Sequence, residues 1–372
     1  MLIETSPAGL YCPAGDFHID PWRPVAQALI THAHGDHART GSGQYYCTET
    51  GLRLLEHRLG PQSFNPSAYG APFEMNGVRV SFHPAGHILG SAQVRVEHDG
   101  EVWVVSGDYK RDPDPTCAPF EVVPCDQFIT EATFALPIYR WQSTPLTVHE
   151  IYTWWMACRA KNRTALLLCY SLGKSQRVLS ELMRYSEDPV YLHGAVDSLT
   201  RLYREAGIAM LPTIPVAEAG KSALPGELVL APPSAFRSVW MKRFKDLETG
   251  FASGWMRVRA GRRMRGYDRG FVLSDHADWP QLLQTIAETG ARQIWVTHGK
   301  ADLLVRHLNE NGISADVWGT EYGHEEEDDL PSETGSVASA NEDEQSQLPQ
   351  TGETLSVFPT DNDNIADEAD AS

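Results

Sequence analysis

Four metal-capable side chains fall within six residues of the stretch "LITHAHGDHART": His32, His34, Asp36 and His37, in the pattern His-x-His-x-Asp-His directly after an apolar run. Around one ion they would crowd each other; shared between two they form a ligand platform. A rigid strand ahead of the cluster fixes the direction in which the loop side chains project. A chain carrying this motif must deliver further imidazoles and carboxylates to the same point. That requirement constrains the fold more tightly than any bulk property.

Three other sites share the placement at a strand end. His87 lies in "PAGHILGSA", Asp108 closes "VWVVSGD" and His298 closes "IWVTHG". Distributing the donors gives His32, His34 and His87 to one ion, Asp36, His37 and His298 to a second, and Asp108 as a carboxylate able to bridge them. Each ion then has four protein ligands or fewer, which leaves room for a shared water. Imidazole and carboxylate ligands suit two divalent ions, zinc in the first place and manganese as the alternative.

The chain changes texture along its length. Alternation at Val78, Val80 and Phe82 and again at Val94 and Val96, the turn signal "HDG" and the run "EVWVVSGD" predict a sheet. From about residue 145, helical segments such as "VHEIYTWWMACRAK" and "SQRVLSELMRYS" alternate with the strand-like runs "TALLLCY", "PVYLHG" and "ELVLAPP". That alternation predicts βαβ units, a parallel sheet and a second domain. Around residue 270, "GFVLSDHADW" and then "RQIWVTHGK" read as strands ending in histidine-bearing loops.

At 372 residues the chain is long enough for more than one domain. Its net charge of −18 would oppose a nucleic-acid partner if it were evenly spread. It is not: 16 of the 49 acidic residues lie from Glu321 onward, where no Lys or Arg occurs. Residues 1–320 keep 33 acidic against 31 basic residues, a net of −2. The acidic end has few large apolar residues and no periodicity, so it reads as a disordered tail. No stretch has the length and apolarity of a membrane span, and the beginning has no signal-like run, so the expectation is a cytoplasmic protein without a membrane partner. Six scattered cysteines without a C-x-x-C pair suggest reduced thiols rather than a disulfide framework or zinc ribbon.

Taken together, "FHIDP", "HAHGDH", His87 and Asp108 resemble the successive motifs of the metallo-β-lactamase fold. Glu131 in "ITEATF", His276 in "LSDHADW" and His298 in "WVTHGK" resemble the additional motifs of its β-CASP nucleases. The resemblance covers nearly all of residues 1–320. It implies an α/β protein: a metallo-β-lactamase αββα sandwich with an inserted β-CASP α/β domain and the acidic tail. The divisions it implies are 1–140 for the first part of the sandwich, 141–264 for the insertion, 265–323 for the closing part and 324–372 for the tail. More narrowly, "GLYCPAGDFHIDPWRP" and "YSLGKSQR" are similar to bacterial ligase-associated DNA exonucleases and to RNA 3′-end processing factors. This implies a DNA exonuclease of repair or end processing, with a DNA ligase and a helicase as partners. The alternative is an RNA endo- or exonuclease or an mRNA 3′-end processing factor. His298 leans toward that alternative, because DNA-specialised members often carry Val there.

Two metal ions would activate the shared water for attack on a phosphodiester. His276 is the candidate proton donor to the departing oxygen, Glu131 the residue that holds its ring, and Asp20 the one that orients a ligand histidine. Substrate contact is expected from Lys174, at the start of the helix after "SLG", and from the run "WMRVRAGRRMRGYDRG" with Arg257, Arg259, Arg262, Arg263 and Arg265. "SLGKSQ" lacks the first glycine of a nucleotide-triphosphate loop.

Overall fold

The alternating residues Val78, Val80 and Phe82 are fully buried in a seven-residue strand, and the "HDG" signal becomes a tight Asp99–Gly100 connection to the next strand but one. These elements belong to one of three sheets in a computed structural model that describes residues 1–219, 224–258, 266–297 and 299–319. His298, Arg259, Arg262, Arg263, Arg265 and the acidic tail from 324 lie outside the described residues.

The first sheet contains, in order, β1 (Glu4–Ser6), β2 (Gly9–Cys12), β3 (Phe17–Ile19), β4 (Gln27–Leu29), β5 (Gln44–Thr48) and β6 (Phe64–Ser67). Its first three strands are antiparallel, and β3 to β6 are parallel. The second sheet begins with the antiparallel meander β7 (Phe73–Met75), β8 (Val78–Pro84), β9 (Ala92–His98) and β10 (Glu101–Val105). It continues in parallel through β11 (Gln127–Thr130). The third sheet is wholly parallel, as the βαβ pattern predicts. Its strands are β12 (Thr164–Leu168), β13 (Val190–Leu192), β14 (Thr213–Pro215), β15 (Leu228–Ala231), β16 (Leu247–Ala252) and β17 (Arg269–Phe271), in the order β14-β13-β15-β12-β16-β17. The chain then returns to the second sheet with β18 (Gln293–Val296), beside β11, and β19 (Ala315–Val317). Because β17 pairs with β16, the third sheet ends only at Phe271.

Apolar faces explain the layering. Leu10, Ile19 and Leu29 of the first sheet pack with Val80, Val94, Trp103 and Ile129 of the second, so these two sheets stack face to face. On the outer face of the second lie Leu282 and Ile286 of one helix (Trp279–Thr289) and Leu304 and Leu308 of another (Ala301–Glu310). The outer face of the first packs on a helix over Leu52–Leu59. This is the αββα arrangement, with the third sheet and its helices as an added α/β layer. Within that layer, the helix over Thr144–Ala160 buries Val148, Ile151, Trp155 and Cys158, the spacing of one helical face. Among the described residues, no helix is long and apolar enough to cross a membrane.

Candidate metal centre

The strand ends of the first two sheets bring the motif residues together. Two glycines make the approach close enough, each directly before a candidate ligand. Gly86 (φ +73°) and Gly107 (φ +55°) occupy the left-handed region, and a Cβ would lie 2.3 Å from Lys110 O in the first and 2.7 Å from Thr31 Cβ in the second. Gly107 thereby sets Asp108 against the loop that carries His32, His34, Asp36 and His37, and Gly86 sets the His87 loop against the segment that follows Asp108. All six side chains are buried.

The rings of His32, His34 and His87 stand nearly perpendicular to one another, with centroids 4.8–4.9 Å apart. Their inner nitrogens converge: His34 Nδ1 lies 3.1 Å from both His32 Nε2 and His87 Nε2. Asp108 Oδ2 lies 3.5 Å from His32 Nε2, 3.9 Å from His87 Nε2 and 3.4 Å from His37 Nε2. One carboxylate oxygen thus stands between the two histidine sets. His37 Nε2 is also 3.6 Å from Asp36 Oδ2.

The outer nitrogens fix the tautomers. His87 Nδ1 donates to the carbonyl of Asp275 at 2.8 Å and His34 Nε2 lies 3.4 Å from the carbonyl of Leu172. His37 Nδ1 donates to Asp20 Oδ2 at 2.8 Å. Thr31 Oγ1 gives its proton to Asp20 at 2.6 Å and therefore accepts from His32 Nδ1 at 3.0 Å. A neutral imidazole that donates through one nitrogen presents a lone pair at the other. The facing nitrogens then oppose lone pair to lone pair at 3.1 Å, which a shared cation relieves. Tetrahedral zinc with Zn–N bonds of about 2.0–2.1 Å holds its donors about 3.3 Å apart, close to this spacing. The donor set fits a metal ion.

Asp20 sits in the left-handed region (φ +45°). Its carboxylate also accepts the Thr31 amide at 2.7 Å, so the strained turn is held by three bonds to the ligand loop and His37. Burial and the neighbouring His37 press the protonation of His32 well below the ordinary range, against the pull of Asp108. Burial opposes charge on His37 too, but Asp36, Asp108 and Asp20 outweigh it and hold that ring well above its ordinary value.

A second group lies beside the first. Asp108, Glu131 and His276 bring donor atoms within 4.8 Å of one another, and the His276 ring centroid is 4.8 Å from that of His87. Glu131 Oε2 contacts His276 Nδ1 at 2.9 Å and Oε1 accepts the Tyr109 amide at 2.7 Å. Both Glu131 oxygens are thus engaged, as suits a carboxylate that orients an imidazole rather than one that ligates.

The expected substrate contacts divide. Arg257 is exposed, with Nε 3.4 Å from the carbonyl of Ile138. Lys174 is buried instead, its ammonium 3.4 Å from Asp275 and 4.0 Å from the centroid of the Tyr170 ring. The start of its helix is already capped, because Gly173 N donates to Gln176 Oε1 at 2.8 Å and Ser175 N to Tyr170 O at 3.2 Å. Sequence reasoning missed Thr31, Arg177, Asp275 and the Leu172 carbonyl. Asp275 stood directly before His276 and Arg177 one helical turn after Lys174, the only signals available.

No protein-family model matches the chain. It is 31% identical over 311 residues to a probable DNA ligase of Opitutus terrae, covering 82% of this chain and 30% of that protein. It is 32% identical over 126 residues to the endoribonuclease YSH1 of Yarrowia lipolytica, covering 32% of this chain and 14% of the relative. A ribonuclease of Thermus thermophilus is 27% identical over 212 residues, 47% of this chain and 48% of that one. The chain therefore spans less than half the length of these relatives. A crystal structure of an Enterococcus faecalis protein of unknown function superposes with a TM-score of 0.54 at 13% identity, over 80% of each chain, a likeness of fold.

Proposed function

Starting from a chain that belongs to the β-CASP metallo-β-lactamase family, we propose that it is a metal-dependent nuclease, a DNA exonuclease that works at strand ends in repair or end processing. The observation that carries this reading is the pairing of two devices: the three imidazoles of His32, His34 and His87 with lone pairs turned inward, and the buried Glu131–His276 pair next to them. A small-molecule hydrolase needs the first and has no use for the second.

His32, His34, His87 and Asp108 would hold one ion, and Asp36, His37 and Asp108 a second, with His298 as a further candidate ligand. When bound, two divalent ions supply a water nucleophile at neutral pH and neutralise charge on a phosphate oxygen. Asp20 holds His37 in the tautomer that presents Nε2 inward, and Thr31 does the same for His32. Glu131 fixes Nδ1 of His276, so proton transfer to the departing oxygen falls to Nε2. Arg257 and the arginines after it would contact backbone phosphates.

DNA is favoured by the relative named as a probable DNA ligase, whose match covers most of this chain, and it suggests that the nuclease works with a ligase. RNA is the second reading, supported by the relatives named as ribonucleases. The deciding experiment uses end-labelled DNA and RNA strands of identical sequence, with zinc and with manganese. We expect DNA to be shortened from an end and cut faster. Faster RNA cleavage would promote the second reading, and no cleavage of either strand would remove both.

A further inference from the structure

The turn Ser274–Asp275–His276 offers three consecutive carbonyls, and each accepts from a different part of the chain. Arg177 Nη1 donates to Ser274 O at 2.7 Å, His87 Nδ1 to Asp275 O at 2.8 Å and Trp141 Nε1 to His276 O at 2.9 Å. Arg177 comes from the helix after β12, His87 from the loop after β8, and Trp141 from the segment leading into the helix over Thr144–Ala160. The side chain of Asp275 adds a second grip, with Oδ1 3.3 Å from Arg177 Nη1 and Oδ2 3.4 Å from Lys174 Nζ. Arg177 continues outward, donating through Nη2 to Thr144 Oγ1 and lying with Nε 3.5 Å from Asp114, which in turn pairs with Lys110.

All five charged side chains of this network are buried. Buried ion pairs are a poor way to gain stability, since well-packed apolar side chains of similar volume often serve as well or better. What a guanidinium adds is direction, because its planar fork fixes two acceptors at once. Here the two acceptors are the carbonyl and the carboxylate of adjacent residues, and the next residue along is His276. The carbonyl between them orients His87.

We propose that Arg177 and Asp275 are positioning residues which hold the 274–276 turn so that it sets, together, the metal-facing nitrogen of His87 and the ring of His276. The third sheet thereby fixes the geometry of a centre whose ligands come from the other two. This inference rests on the metal-dependent nuclease reading for its activity arm and on zinc binding alone for its other arm.

The test uses the full chain with Arg177→Lys, which keeps the charge and loses the fork, and Asp275→Asn, which keeps the backbone carbonyl and loses the charge. Zinc affinity is measured by equilibrium dialysis, folding by thermal melting, and kcat and KM by cleavage of an end-labelled strand. Both variants should bind one zinc about 10–100-fold more weakly and lose kcat by a similar factor, with KM unchanged. A purely structural network would lower the melting temperature and leave zinc affinity and kcat at wild-type values, and that result overturns the proposal. Should neither variant fold, Trp141→Phe decides: it removes the indole N–H on the His276 carbonyl, and melting temperature read beside kcat separates that loss from the loss of the second ring against Phe134 and Tyr139. A kcat loss of about 2–10-fold at unchanged KM supports the proposal and a wild-type kcat overturns it. A wild-type chain that binds zinc and cuts no strand would end the nuclease reading, and the zinc arm alone would then decide the inference.

Discussion

Glu131 grips His276 across 145 positions of sequence: Oε2 lies 2.9 Å from Nδ1, while Oε1 accepts the Tyr109 amide at 2.7 Å. Both residues are buried, which shields this contact from solvent. With Nδ1 committed to Glu131, the proton donation proposed for this ring falls to Nε2. His276→Ala should therefore lower kcat by roughly 10²–10⁴-fold and leave strand binding near wild type. Glu131→Gln, which keeps shape and loses charge, should cost less. Steady-state kinetics beside equilibrium binding checks this, and a turnover near wild type in His276→Ala would end its proposed role.

Asp108 Oδ2 stands within 3.9 Å of the inner nitrogens of His32, His37 and His87. Its removal should disrupt both metal positions. Asp108→Ala should lose metal and hydrolysis together while melting as a cooperative fold, with metal content measured by elemental analysis. Two ions per chain in that variant would refute the bridging role.

Zinc should stabilise the chain as well as activate it, because lone pairs that oppose each other at 3.1 Å between His34 and two neighbours are relieved by a cation. At a free zinc concentration of 100 times Kd the gain is about 2.7 kcal/mol. Chelation should lower Tm and abolish cleavage, and restored zinc or manganese should recover both. An unchanged Tm after verified metal removal would count against a built site.

Acid sensitivity should follow Asp275. Burial opposes its charge, but Lys174, Lys110 and Arg177 outweigh that cost and hold the carboxyl well below its ordinary value of 3.8. Asp114 is likewise lowered, by Lys110 and Arg177 against burial. A depressed folded pKa means the stabilisation is complete above the unfolded value and is lost as pH falls below it. Asp275→Asn should therefore be less stable at neutral pH and show a shallower loss of stability below about pH 4. Parallel acid titration curves for variant and wild type would contradict this.

Salt dependence tests the arginine run, part of which lies outside the described residues. Exchanging Arg262 and Arg263 for Gln should lower the slope of log affinity against log salt by about 1 to 1.5 for a single strand, for every sequence alike. The metal centre should be untouched. An unchanged slope would return the run to an ordinary solvated surface.

The sequence by itself determined which donors exist and on what elements they ride. The His-x-His-x-Asp-His cluster is local, so its capacity to hold a metal is legible without a fold, and the strand patterns ahead of His87 and Asp108 follow from period-2 alternation and apolar runs. The parallel third sheet was legible from the alternation of helical segments with short apolar runs. Tertiary structure alone decided which nitrogen of each histidine faces inward, because that depends on an outer acceptor that can lie far away: His34 is fixed by Leu172 O, 138 positions off, and His87 by Asp275 O, 188 positions off. It also decided the fate of Lys174, whose position at a helix start suggests phosphate contact but whose ammonium is buried against Asp275. Periodicity reports which face of an element is buried, and it carries no information about which distant carbonyl or carboxylate will meet a polar group there. Packing of the third sheet against the ligand loops supplies that information.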